Sequence, residues 1–508
     1  MNQRGARVQS KRVAARRTGR GRTLLLFCVA TAAMCGVVFW GIQGALTDDS
    51  YITLSYAKTL AFHGTWGMVP HHAANTATSP LNVILLAAGT FITRRPVLAL
   101  GIVFVAAGTA LAWTLGRVAR ALGLPLASAA FAVALTVLNP FVLAATGLEM
   151  MLVAATIGGL LCCMVERRVV LFGVVSGIAL LIRPDMIVFV VVFVIASPEL
   201  RRRLRALLLA AAVVVVPWFV PRWLFAGSAM PDTLVIKTLQ RQFGVTTFAN
   251  GPIDYLQWTH SKAAVSFAPV VVGVIAVIAW IVWSMRHGGP DQQWRPAATL
   301  VVAAALYYLC FALLQVPPYQ WYYCPTIEAV TIALGLTSGA VFAFVVERSG
   351  SARAALAFVP MALLLTSVVF VVAQHEFPWR REPILFGNWA RPGDYRRIAA
   401  DLKKEVGSDL VTSPGEVGTL AFYCECNIVD YYSDRSFAVP LINRRIARAD
   451  PLTKAVLRVN YAFLDRQVTP LPTHYHLIWG PGWDAGNHDF WNVWSERQGF
   501  GHFQLTRS

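Results

Sequence analysis

The stretch "GALTDDSYITLSYAKTLAFHG" (44–64) sets two carboxylates side by side, Asp48 and Asp49, where a long apolar run ends. A charge held near hydrocarbon costs roughly 2.5–3.5 kcal/mol on insertion scales, so a pair there needs a use. Helix capping accounts for one of them, since Asp suits the positive end of a helix dipole. Neighbouring helical residues face different ways. One Asp can therefore cap a surface helix while the other points into a cavity, where a carboxylate can serve as a base. From Tyr51, the positions Ser55 and Lys58 follow on the same helix face.

These residues belong to a chain of 508 residues that is 56% hydrophobic and 14% charged, with a mean hydropathy of +0.55. Soluble domains carry about 25% charge. Repeated uncharged runs of about 20 residues mark a polytopic α-helical membrane protein. The net charge of +18 does not point to nucleic acid, because Lys and Arg cluster in short loops between apolar runs, as the positive-inside rule asks. The expected partner is the lipid bilayer, with no nucleic acid. Residues 1–22 read as a disordered basic arm on the cytoplasmic side, resting on anionic headgroups. The run after it, 23–46, is too long for a signal-peptide core and reads as an uncleaved first span.

Parity gives the topology. Segment 79–93 has about 13 apolar residues where a span needs roughly 20, so it is expected to lie along the outer surface. The later basic clusters near 117, 167, 201 and 286 then face inward across about eleven spans; if 79–93 crossed, all of them would face out. Arg94 and Arg95 are left on the outer side. The membrane domain is expected over 23–375, with outer-loop helices at 48–93 and 222–264. Residues 376–508 turn polar and read as a small extracytoplasmic α/β domain. In it "YRRIAADLKKEVG" (395–407) is an amphipathic helix, and "DLVTS" and "CNIVDYY" are short strands. Cys424 and Cys426 lack the second pair of a zinc site and do not by themselves require a disulfide. The expected location is the plasma (inner) membrane, multi-pass, with the N-terminus in the cytoplasm.

That topology gathers the unusual polar residues on one face: Asp48, Asp49, Tyr51, Lys58, His71, His72, Arg94, Arg95, Glu149, Arg183, Asp185, Asp232, Lys237, Arg241, Tyr319, Gln320, Trp321, Tyr322 and Tyr323. "PPYQWYYCP" is either an aromatic belt at the interface or a stacking wall for sugar or isoprenoid. No cofactor is assigned and no metal ligand set is named, although His71 and His72 leave a divalent metal open. A transporter or flippase of glycolipids would place charges at midplane depth on facing helices, and these spans are nearly free of charge. A non-catalytic scaffold of the same fold is the third class.

An acidic pair just after the first span resembles that of the GT-C glycosyltransferases, membrane enzymes that take sugar from a polyprenyl-phosphate carrier. "DDSYITLSYAKTLAFHG…ATSPLNV" is similar to the DDxYI…TSPL pattern of the arabinofuranosyltransferases of mycobacterial and corynebacterial cell walls. "TGLEM" (146–150), "RPD" (183–185), "MPDTLVIKT" (230–238) and "PGEVGTLAFYCECNIVD" (414–430) resemble further segments of that family, in the same order, over roughly 40–500. Asp232 stands where the pattern often has Asn, and Met150 where Thr is common.

The resemblance implies an inverting transferase that moves a sugar, a pentose such as arabinofuranose, from a polyprenyl-phosphate donor to a cell-envelope glycan or glycolipid. A sugar phosphodiester carries a good leaving group, so one base suffices. This differs from the acid-plus-base pair of glycoside hydrolases. Asp48 or Asp49 fills that role, with Asp48 favoured. Arg183, Lys237, Arg94 and Arg95 are the cations expected on the departing phosphate. Tyr51, Lys58, His71, Glu149, Asp185, Tyr319, Gln320, Trp321 and Tyr322 are expected around the substrates.

Overall fold

A computed structural model of the chain describes residues 3–239, 245–287, 293–348, 361–369 and 383–507, short of 384, 386–387, 485–489 and 497. Arg241 and most of the apolar segment 354–373 therefore lie outside the described residues.

The apolar runs form α1 (Gln3–Ile42), α2 (Asp48–His63), α3 (Pro80–Thr93), α4 (Pro96–Ala121), α5 (Leu126–Val137), α6 (Pro140–Ala144), α7 (Met150–Val165) and α8 (Val169–Ile182). They continue as α9 (Ile187–Ala196), α10 (Pro198–Arg202), α11 (Leu204–Phe225), α12 (Thr233–Leu239), α13 (Gly251–Thr259), α14 (Ser261–His287), α15 (Arg295–Leu313) and α16 (Gln320–Arg348). The basic arm expected to be disordered is helical from Gln3 and continuous with the first apolar run. Among the described residues, six helices are long and apolar enough to cross a membrane: Gly21–Ile42, Pro96–Ala121, Leu204–Phe225, Ser261–Arg286, Arg295–Leu313 and Gln320–Val341. Five shorter apolar helices of 10–17 residues accompany them, α3 included. At 1.5 Å per residue α3 is roughly 21 Å long, against about 30 Å of hydrocarbon. It packs against α2, α4 and α8.

The bundle has a buried centre and a lipid-facing edge. The apolar window of α16 is 78% buried, and α16 packs against α5, α7, α14 and α15. The window of α11 is only 6% buried. Among the described residues its one broad contact is with α8, and the apolar side chains it leaves bare suit hydrocarbon.

The C-terminal unit begins with α17 (Pro392–Val406), whose Tyr395, Ile398, Ala399, Leu402 and Val406 form one buried stripe at the i, i+3, i+4 spacing of an amphipathic helix. Gly407, at φ 57°, ends it. There follow β1 (Leu410–Thr412), α18 (Gly418–Cys424), β2 (Asn427–Val429), α19 (Arg435–Arg448), α20 (Pro451–Asn460), β3 (Tyr475–Pro481), β4 (Phe490–Ser495) and β5 (Gly499–Arg507). The sheet order is β2-β1-β3-β5-β4. β1 pairs in parallel with β2 and β3, while β5 pairs antiparallel with β3 and β4. Cys424 and Cys426 are joined by a disulfide. The apolar core of this unit takes in Tyr56, Trp66, Met68 and Val83 from the α2–α3 region. The sheet unit is thus packed onto the face of the bundle that carries the acidic pair.

Candidate active site

Asp48 and Asp49 open α2 and part at once. Asp48 is buried, and its carboxylate accepts from the N–H of Gly418 (3.0 Å), the N–H of Thr419 (2.7 Å) and the Thr419 hydroxyl (2.8 Å). It therefore satisfies the bare N–H groups at the start of α18, capping a helix of the C-terminal unit rather than its own. The close approach explains Gly418. A Cβ there would stand 2.1 Å from the Asp48 carbonyl oxygen and 2.8 Å from the Ile52 nitrogen. The Asp48 N–H in turn donates to Asn388 Oδ1 at 3.0 Å.

Asp49 points the other way, into a cavity of about 60 Å³ that it shares with Tyr56, Thr76, Glu149, Arg183, Thr233, Lys237, Trp321, Tyr322 and Tyr432, among others. Lys237 Nζ lies 3.7 Å from Asp49 Oδ1; their side chains are 15% and 36% exposed. The ammonium also faces the rings of Trp321 (4.9 Å to the centroid) and Tyr319 (5.0 Å), within cation–π range. Burial and the neighbouring Arg183 work against its charge, but interactions with Tyr322, Asp49 and Glu149 outweigh them and hold the Lys237 pKa above its ordinary value.

Distant segments set these groups in place. Ser50 donates to the Thr146 carbonyl at 2.7 Å. Gly147, at φ 104°, leaves no room for a Cβ against the Ser50 side chain, and this tight turn brings Glu149 to the cavity. The α12 helix that carries Lys237 follows Asp232, whose N–H donates to the Asn75 carbonyl at 2.7 Å. Val235 and Ile236 pack on Ala438, Val439 and Ile442 of α19. Asp232, the departure noted in the sequence, has a physical account: its carboxylate pairs with Arg435 at 2.9 Å. Trp321 and Tyr322 line the cavity, and Tyr319 stacks on Trp321 at 4.5 Å. Tyr323 instead stacks on Phe248 in the core. The aromatic run thus gives the cavity part of its wall.

Arg183 is held by acids. It donates to Glu149 Oε1 at 2.7 Å and from Nε to Asp185 Oδ1 at 3.0 Å, and Asp185 also accepts from Tyr307 at 3.1 Å. Glu328 of α16 is fully buried and lies in the field of Arg183 and Glu149. Neither of its oxygens has a hydrogen-bond partner among the described residues. It sits roughly 12 Å along the helix from Gln320, and the sequence reading passed over it.

The structure does not bring every expected residue to the cavity. Tyr51 is buried with its hydroxyl 3.0 Å from that of Tyr423. Lys58 pairs with Glu425 and faces the Phe422 ring. His71 is exposed, with its ring 5.6 Å from that of His63. Arg94 lies over Phe62 and Phe91, and Arg95 is exposed at the start of α4. Gln320 is buried, and neither polar atom of its side chain has a hydrogen-bond partner among the described residues. The sequence favours Asp48 as the base, but its carboxylate oxygens are committed to the start of α18. Among the described residues no cluster of three His, Cys, Asp or Glu could hold a metal. Tyr56, Thr76, Thr233 and Tyr432 line the cavity without having been singled out.

The Asp48 clamp carries a pH dependence. Burial outweighs the donors from Thr419 and Gly418 and raises the carboxyl from 3.8 to about 6. The folded chain therefore holds a proton that the unfolded chain releases between about pH 4 and 6, and this contribution to stability falls as pH rises through that window. The shift corresponds to roughly 3 kcal/mol at most. Thermal melts of wild type and Asp48→Asn between pH 4 and 7 should show the wild-type advantage greatest at pH 4. An equal difference at every pH would mean that Asp48 titrates as it does in the unfolded chain.

No family model and no curated protein matches the chain. Solved structures do match its fold. ArnT from Cupriavidus metallidurans bound to undecaprenyl phosphate superposes with a TM-score of 0.55 at 14% identity, covering 89% of this chain and 92% of that one. The archaeal oligosaccharyltransferase AglB from Archaeoglobus fulgidus, in complex with an inhibitory peptide and a dolichol-phosphate, superposes with a TM-score of 0.52 at 12% identity, covering 90% and 69%. The fold is that of a GT-C-like membrane protein with a small C-terminal sheet unit.

Proposed function

We propose that the chain is an inverting glycosyltransferase that moves a sugar from a polyprenyl-phosphate donor to a hydroxyl of a cell-envelope glycan or glycolipid on the outer side of the membrane. The observation that carries this reading is the pairing of Asp49 with Lys237 at 3.7 Å in one aromatic-walled cavity. Asp49 takes the proton of the acceptor hydroxyl as that oxygen bonds to the anomeric carbon. The bond from that carbon to the phosphate oxygen breaks, and its electron pair leaves with the polyprenyl phosphate. Lys237 meets the charge that develops there. Arg183 is less suited to the phosphate, since two carboxylates already share its charge.

Two proteins of the same fold were solved with an undecaprenyl phosphate and a dolichol-phosphate, which supports a polyprenyl phosphate as the donor lipid here. Arabinofuranose is favoured as the sugar on the DDxYI…TSPL resemblance. A disulfide in the sheet unit suits an oxidising compartment and, with the arginine pattern, supports placing this face outside. The cavity, at about 60 Å³, is smaller than the 300–1,000 Å³ of ligand pockets. Its rim must therefore open to admit a sugar.

The test is purified chain in detergent or vesicles with a panel of polyprenyl-phosphate sugars, scored for transfer to acceptor glycans. Transfer from one donor, with inversion at the anomeric carbon, is expected. Movement of intact glycolipid across the vesicle without transfer would instead favour the transporter reading, in which Glu328 becomes the group of interest. With the donor in hand, Lys237→Ala should raise the donor KM, and lower kcat as well if the ammonium stabilises the leaving group. A lysine held only by the interface would change melting and leave both constants alone.

A further inference from the structure

A second cavity, of about 410 Å³, lies where the C-terminal end of α11 meets residues 73–75 and the C-terminal unit. This is within the range of small-molecule sites. It backs onto the first cavity, with Asn75 lining one and the next residue, Thr76, lining the other.

Its charge is unmatched at one residue. Arg222 lines the cavity and donates to neutral acceptors, Asn75 Oδ1 at 2.8 Å and the Ala74 carbonyl at 3.4 Å. Its Nε is buried and has no hydrogen-bond partner among the described residues. Among the described residues, no carboxylate lies within ion-pair distance of it. Arg435, the second cation of the wall, is already paired with Asp232 at 2.9 Å. Asp465 stands at the exposed rim and accepts from the Gln467 N–H of its own turn. A part-buried guanidinium whose hydrogen-bond partners among the described residues are neutral, and whose attraction to Asp232 is opposed by the neighbouring Arg435, is an incomplete site, and an anion completes it.

The surroundings say what kind of anion. The cavity opens at the end of the least buried apolar helix of the bundle. Phe225, 89% exposed, and the bare side chains of Phe463 and Val468 stand at its edge. The rings of Trp66 and Trp218 lie 5.3 and 5.7 Å from the Arg222 guanidinium. Charge within, hydrocarbon-facing surface beside it and indole rings at the junction are the elements of a lipid headgroup site. We propose that this cavity binds the phosphate of an anionic membrane lipid, with the acyl chains running along α11. This does not rest on the glycosyltransferase reading.

The test uses delipidated full-length protein in nonionic detergent, titrated with phosphatidylglycerol, phosphatidylcholine or inorganic phosphate and followed by native mass spectrometry and melting. Phosphatidylglycerol should bind saturably and raise the melting temperature, with phosphatidylcholine weaker. Arg222→Gln should weaken phosphatidylglycerol by roughly tenfold or more, the worth of one charge-assisted contact, and Arg222→Lys should recover part of it. Arg205→Gln, an exposed cation at the other end of α11, should change nothing. Phe225→Ser leaves the core untouched and should weaken phosphatidylglycerol but not inorganic phosphate. Unchanged phosphatidylglycerol binding in Arg222→Gln overturns the site. Inorganic phosphate binding as tightly as phosphatidylglycerol overturns the lipid and leaves a free-anion site.

Discussion

Asp49→Asn should cost about 10²–10⁴-fold in turnover, the usual contribution of a positioned base, while the protein melts where wild type does. The side chain is 36% exposed and its ion pair is the 3.7 Å approach to Lys237, so little stability rides on it. With Asp49 open to solvent and the approach longer than a hydrogen bond, the pair is worth about 1 kcal/mol. Asp48→Asn should do the reverse. Its amide would keep one accepting oxygen but turn an N–H toward either the Gly418 or the Thr419 N–H, and losing a cap costs about 0.5–2 kcal/mol. Turnover should fall only as far as a loosened C-terminal unit, which supplies Tyr432 to the cavity wall, allows. Initial rates on the donor found in the panel, set beside melts of both variants, separate the two acids. Equal loss of rate in both variants with unchanged melting would mean that the pair acts as a unit. Near-normal rates in both would remove the proposed mechanism.

The sequence made the acidic pair stand out because two charges at the end of an apolar run are costly. It could not divide the labour between them. The groups that claim Asp48 lie 370 and 371 residues further on, and no local periodicity reports them. The same distance effect misplaced Lys58 and Tyr51. Helix spacing set them on one face, but Phe422, Tyr423 and Glu425 of the C-terminal unit cover that face. Lys237 and Glu149 were legible because each sits in a short polar segment between apolar runs, where a charge stands out against its neighbours. Glu328 was hidden by the opposite circumstance, a single acid inside a long apolar run. The strands on either side of α18 are readable from their β-branched composition, whereas β4 and β5 depend on pairing with each other and with β3.

Arg183→Met should destabilise the protein by about 3–5 kcal/mol, the cost of leaving the other half of a buried ion pair alone. The reason lies in the count of acids around one guanidinium. Glu149 accepts at 2.7 Å with its side chain only 5% exposed, and Asp185 binds the Nε edge. Glu328 sits in the same field without a hydrogen-bond partner among the described residues. Removing the cation leaves like charges confined together, which raises the cost of each. Pairing the change with Glu149→Gln should therefore recover part of the loss, because one unmatched carboxylate is then neutral, and the two effects should be strongly non-additive. Melting in detergent across the single and double variants measures this. A single variant that melts like wild type yet loses donor affinity would give the opposite assignment. Arg183 would then be a phosphate ligand whose carboxylate partners only orient it, and it would share with Lys237 the charge that the departing phosphate meets.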